Sequence, residues 1–268
     1  MHSKLCGHAT GELEEYVQRG IDLGLAAVGF SFHLPIAIPA DYKINVTRAE
    51  LDALVPQVEA LRDAYRDDIP VLLGGEADFL RGSEAEAEAL LAAYPFDHTI
   101  GSVHFIGDWA FDSPHELAPY DDWDIHELYA AYFDHVCEAI GTGLFDIMGH
   151  VDIIKKFGFR PDTDWSDLTA AMAACAAQAG VTVEINTAGL DKPAKEMYPS
   201  EPIVQQLHAA GVPLCFGSDA HAPDQVGRYF DEAVAVARRS GYTEVATYRQ
   251  RARTMAPLPI VLTDCHNL

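Results

Sequence analysis

Six short stretches of the chain carry apolar residues in continuous rather than alternating runs: AAVGFSF (26–32), PVLLGG (70–75), HTIGSVH (98–104), FDIMGH (145–150), VTVEIN (181–186) and VPLCFGS (212–218). Val, Ile, Leu and Phe grouped in this way predict strands buried on both faces, as in a parallel sheet. A later run, PLPIVL (257–262), predicts a strand or an extended tail. Between the runs, apolar residues recur at helical spacing. In GELEEYVQRGIDLG, after Thr10, the residues Leu13, Tyr16, Val17 and Ile21 form one stripe. Thr47, with Glu50 three positions on, predicts a capping box ahead of RAELDALVPQVEALRDAY, and Pro56 predicts a kink or split inside it. DIHELYAAYFDHVCEAIGTG (124–143), DWSDLTAAMAACAAQAG (164–180), SEPIVQQLHAAG and DQVGRYFDEAVAVARRSG each open on Asp or Ser and close on Gly.

Strand and helix alternating along the whole length predict a parallel sheet closed, or nearly closed, into a barrel, in a single domain spanning 1–268. An open doubly wound sheet is the competing architecture, but no GxGxxG follows the first strand, so a dinucleotide site has no support. In a βα barrel the catalytic side chains stand at the C-terminal ends of the strands. Here those ends carry His33, Glu76, His104, His150 with Asp152 beyond it, Asn186 with Glu184 inside the strand, and Asp219 followed by His221. A lone histidine at a strand end is usually structural. Several of them, with Glu76 and the Ser-Asp-Ala-His run, converge imidazole and carboxylate on one rim, the donor set of zinc, manganese or iron. Carboxylates able to bridge, such as Glu76 and Asp219, favour more than one ion. His98, at the start of its strand, and His115, His126, His135, His208 and His266, on helices, loops or the tail, read as structural or solvated.

The balance of 49% apolar and 22% charged residues is that of an ordinary globular chain. No apolar run reaches the roughly 18 residues of a membrane helix, and the start lacks the basic-then-apolar order of a signal peptide, so a cytoplasmic location is expected. Five cysteines, widely spread and without a CxxC pair, read as reduced thiols. A net charge of −23 argues against a nucleic-acid surface and repels anions at long range. A phosphorylated ligand therefore needs a local cationic feature, which bound metal would supply.

The segments GHATGELEEYV, GSVHFIGDWAFD, WDIHELYAAYFDHV, GLFDIMGHVDIIKKFG, EINTAGL followed by KPAKEMYPS, and FGSDAHAP are spread over most of the chain. Through them the chain resembles the polymerase-and-histidinol-phosphatase (PHP) superfamily, in its histidinol-phosphatase branch. The resemblance implies a distorted (β/α)7 barrel with up to three divalent metal ions at the rim. It also implies a phosphoric monoester hydrolase that converts L-histidinol phosphate to L-histidinol and phosphate in histidine biosynthesis. Carried over by motif position, His2, Glu76 and Asp219 would hold the first ion. Glu76 would bridge to a second, held with His104 and His150, and His8, His33 and His221 would hold the third. The superfamily's first motif is His-x-His at the end of the first strand, with another histidine six residues after the second. His2 and His8 stand six apart. The resemblance thus implies a first strand and a further histidine ahead of Met1, neither of them in this sequence; a naturally shortened first motif is the other reading.

The chemistry expected is in-line attack on phosphorus by a metal-bridging hydroxide, without a phosphoenzyme. Asp219 or His221 would assist the leaving alkoxide. Arg160, in KKFGFRP, leads the candidates for a guanidinium fork on phosphate, followed by Lys192 and Arg228. Glu184 and Asn186 are candidates to meet the cationic amino alcohol end. The partner expected is a small-molecule phosphomonoester, with no nucleic acid and no membrane. The rival readings are another phosphomonoesterase of the superfamily, and a metal-binding protein with little turnover because of its shortened first motif.

Overall fold

The structure, a computed structural model, describes residues 1–39 and 43–259. Six strands form one sheet in strict chain order: β1 (Val28–His33), β2 (Val71–Asp78), β3 (His98–Ser102), β4 (Ile147–Met148), β5 (Thr182–Asn186) and β6 (Leu214–Gly217). Every neighbouring pair is parallel. Each strand overlaps a stretch expected from its continuous apolar run, although β1 runs on to His33, β2 runs past its stretch to Asp78, and β4 is only two residues long. The sheet curls into the barrel-type α/β architecture that the alternation of elements predicts. The first two residues of the chain bond to β1 and to the turn that follows β6. The Met1 amino group donates to Gly29 O at 3.2 Å, Ser31 N–H to Met1 O at 2.8 Å, and His2 N–H to Ala220 O at 3.0 Å.

The helices are α1 (Leu13–Asp22), α2 (Arg48–Ala64), α3 (Glu84–Ala93), α4 (Ile125–Gly141), α5 (Ser166–Ala179), α6 (Glu201–Ala209) and α7 (Phe230–Arg239). The capping box of α2 forms: Glu50 N–H donates to Thr47 Oγ1 at 3.2 Å and Thr47 N–H to Glu50 Oε2 at 2.7 Å. Pro56 does not split α2, which runs on with Leu51, Leu54 and Val58 all buried on the core side. Helix α3 lies in a stretch that periodicity does not single out. Its alternating Glu and Ala give a faint apolar face, and only Ala87, Leu90 and Leu91 are buried.

A second, antiparallel pair, β7 (Glu244–Arg249) and β8 (Ala252–Pro257), also departs from expectation. Its turn lacks the Asn-Gly or Asp-Gly that marks a hairpin in sequence; Gln250 and Arg251 adopt φ of 49° and 63° instead. Of the PLPIVL run, Pro257 ends β8 and residues 260–262 lie outside the described residues. The hairpin covers the N-terminal ends of the sheet. Tyr248 OH donates to Asp146 O at 3.0 Å, and the Arg251 guanidinium meets the Asp146 carboxylate at 3.0 Å.

Asp97, just ahead of β3, ties this cover to the sheet. Its buried carboxylate accepts Leu73 N–H at 3.0 Å, Gln250 N–H at 3.1 Å and the Arg62 guanidinium. Asp97→Ala strands these donors, and urea unfolding is expected to show a loss of about 2–4 kcal/mol. A loss below about 1 kcal/mol would show that apolar packing alone holds the hairpin in place.

Candidate metal centre

Parallel pairing sets His33, the last residue of β1, directly opposite Glu76 on β2. Alternate residues of a strand point the same way, so Glu76 and Asp78 share one face. His104 follows two residues beyond Ser102, the end of β3, and His150 two residues beyond β4. The turn that carries Asp219 and His221 follows β6. These backbones converge their side chains on one end of the sheet.

Glu76, His104 and His150 bring their ligand atoms within 4.8 Å of one another. Glu76 Oε1 lies 3.4 Å from His150 Nε2 and 4.0 Å from His104 Nε2. The two imidazole nitrogens face each other at 3.3 Å. A second group joins His2, His33 and His221, whose ligand atoms also lie within 4.8 Å of one another. The His2 ring stacks on His33 and His221 with centroids 4.6 and 4.2 Å apart, and His8 stands 4.8 Å from His221. Glu76 Oε2 faces this second group, 3.5 Å from His2 Nε2 and 4.0 Å from His33 Nδ1. Asp219 Oδ1 lies 2.9 Å from His2 Nε2. All eight residues expected as metal ligands are therefore gathered at one rim, with one oxygen of Glu76 turned toward each group.

The donor chemistry fits divalent ions. His8 Nδ1–H donates to Cys6 O at 2.9 Å and His221 Nδ1–H to Asp219 O at 2.8 Å, which leaves each Nε2 with an open lone pair. The buried Nδ1 atoms of His2, His33 and His150 have no hydrogen-bond partner. Burial alone would raise the carboxyl of Glu76, but His33, His150 and His2 outweigh it and hold Glu76 well below the usual carboxylate range. His221 and His2 outweigh burial in the same way at Asp219. Burial pushes His2 well down, His8 to about 4 and His221 downward, so these rings offer lone pairs at neutral pH. At His104 the carboxylates of Asp112, Asp78 and Glu76 overcome burial and raise it to about 10; His150 is raised too, chiefly by its bond to Glu76.

Sequence reasoning missed several residues that shape the centre. Asp78 accepts His104 Nδ1–H at 2.6 Å and so aims Nε2 inward. Ser102 OH donates to Glu76 Oε1 at 2.7 Å. Asp112 pairs with Lys156 at 3.0 Å beside His104 and His150. The signal for the first two lay in spacing: Asp78 is two residues after Glu76, and Ser102 two before His104. Asp152 is in neither group and forms a fully buried pair with Lys155 at 2.6 Å. Arg160 donates to Glu196 at 2.8 Å, and Arg228 to Ser218 O at 3.1 Å and Asp191 Oδ2 at 2.8 Å. Lys192 is half-buried among Lys156, Arg228 and Asp219, and its ammonium has no hydrogen bond or ion pair among the described residues.

Comparison with known proteins follows the same line. The family model of the PHP domain matches residues 1–188. A probable histidinol-phosphatase of Deinococcus radiodurans is 38% identical over 251 residues, covering 94% of this chain and 95% of that protein. A histidinol-phosphatase of Bacillus subtilis is 24% identical over 86% of this chain and 95% of its own. The crystal structure of histidinol phosphate phosphatase from Lactococcus lactis, complexed with zinc, L-histidinol and phosphate, shares the fold with a TM-score of 0.83. It is 20% identical and covers 95% of this chain and 97% of that one.

Because His104 is raised to about 10, it carries a proton at pH 7 that an incoming ion must displace. Zinc added to metal-free protein in weakly buffered solution at pH 7 should release protons, read by an indicator dye, and His104→Ala should diminish the release. Proton release unchanged in that variant would show that His104 is neutral before metal arrives. Asp78→Ala should weaken zinc binding by about 10- to 100-fold in a chelator competition, because His104 loses its aim.

Proposed function

We propose that this chain, which belongs to the PHP domain family, is a histidinol-phosphatase: a metal-dependent phosphoric monoester hydrolase that converts L-histidinol phosphate to L-histidinol and phosphate in histidine biosynthesis. The observation that carries the reading is the rim built around Glu76, on a chain 38% identical over 94% of its length to a protein named as a probable histidinol-phosphatase. In this reading residues 1–268 form one catalytic domain. The first of up to three ions (zinc, manganese or iron) falls to His2, Glu76 and Asp219. The second falls to Glu76, His104 and His150, and the third to His8, His33 and His221.

When bound, divalent ions offset the negative charge of the phosphoryl group and acidify water. The remaining work falls to side chains. Asp219, at the turn after β6, is kept ionised by the imidazoles around it and assists, with His221, the departure of the alkoxide. His221 steadies that turn through its Nδ1–H bond to the Asp219 carbonyl. Lys192, without a carboxylate partner among the described residues, is the first cation to meet the phosphate. Arg228 and Arg160 follow it in order, since Asp191 and Glu196 already engage them.

A cytoplasmic enzyme acting on a free small molecule, apart from nucleic acid, suits a chain of net charge −23. No helix among the described residues is long and apolar enough to cross a membrane.

Phosphate release should be fastest from L-histidinol phosphate in a panel that includes sugar phosphates and nucleotides. Equal rates across the panel would point to a general phosphomonoesterase, and bound metal without phosphate release to a metal-binding protein. Lys192→Ala should raise KM by about 10- to 100-fold at unchanged metal content, the effect of losing one hydrogen bond to a charged group. An unchanged KM would move the phosphate contact to Arg228, Arg160 or the ions alone.

A further inference from the structure

His150 leaves β4 with φ of 25°, in the left-handed region that residues bearing a β-carbon rarely adopt. Its N–H donates to Oε2 of Glu184, on the neighbouring strand β5, at 3.2 Å. Glu184 is buried, and the same oxygen accepts Asn186 Nδ2–H at 3.0 Å, while Asn186 Oδ1 accepts Ala188 N–H at 3.0 Å. The space for its other oxygen exists because β6 carries a glycine at that point. A β-carbon on Gly217 would lie 1.7 Å from Glu184 Oε1. Gly149, just before His150, is confined too, though less tightly: a β-carbon there would sit 2.9 Å from Ser102 Oγ, the hydroxyl that donates to Glu76.

A buried carboxylate thus has its place fixed from both sides and directs a hydrogen bond at the backbone of a rim histidine. We infer that Glu184 is a positioning residue: it locks the left-handed backbone of His150 so that Nε2 faces Glu76 and His104, and thereby sets the affinity of that group for a divalent ion. Sequence reasoning offers Glu184 to the cationic end of the substrate. Its bonds within the barrel give it this other task, upstream of any substrate.

The inference rests on the metal-centre reading, and its readout is zinc binding rather than turnover. Glu184→Ala removes the acceptor. Glu184→Gln keeps one, because the amide oxygen can take the place of Oε2 and receive both N–H groups. Gly217→Ala displaces the carboxylate without altering any proposed ligand. In chelator competition followed by metal analysis, wild type should retain an ion that His104→Ala loses; if it does not, the metal-centre reading itself fails. Glu184→Ala should weaken that same ion by about tenfold or more, and adding His104→Ala to it should cost little further. Glu184→Gln should stay close to wild type. Wild-type zinc affinity in Glu184→Ala, or a loss in Glu184→Gln as large as in Glu184→Ala, overturns the inference. Should Glu184→Ala fail to fold, Gly217→Ala decides: weakened binding of that ion supports the role, and unchanged binding overturns it.

Discussion

Glu76 is 5% exposed and carries a charge whose two oxygens face different sets of histidines. A buried carboxylate is costly unless paired, and the cost grows with the distance from water. Much of the surrounding architecture can be derived from that requirement. His33 must lie opposite it in register, which fixes how far β1 is shifted along β2. Ser102 must present its hydroxyl from β3, and His150 must turn back over the sheet end, which it does with an unfavourable φ of 25°. The ionised state of Glu76 and the buried imidazoles support one another. Removing the histidines would leave a bare buried charge, and removing Glu76 would leave His104 and His150 face to face at 3.3 Å without the carboxylate oxygen they share.

The parts of this arrangement that were legible in the sequence are those encoded by one segment at a time. A strand buried on both faces writes itself as a continuous apolar run, so all six parallel strands could be placed, and the residues after each run were therefore rim residues. What one segment cannot encode is which side chain on a neighbouring strand aims it. Asp78 reads as an ordinary acidic residue near the end of a strand until His104 is seen 2.6 Å away. Glu184 reads as a rim candidate until the missing β-carbon of Gly217 shows the room made for it inside. The hairpin of β7 and β8 was hidden for a local reason. Gln250 and Arg251 are held at positive φ by tertiary bonds to Asp97, where a self-sufficient turn would have used Gly or Asn. His2 and His8 came from the resemblance alone, because no apolar run precedes them.

Charge acts on two length scales here. A net charge of −23 surrounds a rim that gathers divalent cations and, on the proposed function, receives a phosphate dianion. At long range the field favours the metals and opposes the phosphate; within a Debye length of about 8–10 Å the local charges decide. Lys156, Lys192 and Arg228 lie close enough for the first and last to depress the ammonium of Lys192, after the larger effect of its burial. Asp112 draws off Lys156 and Asp191 draws off Arg228, which limits the repulsion among the three. Lys192 is left as the cation whose pairing waits for a ligand. An acidic protein can thus bind an anion without a basic surface: metals gathered by the general field and a few cations held apart by dedicated carboxylates reverse the sign of the potential only where phosphorus must sit.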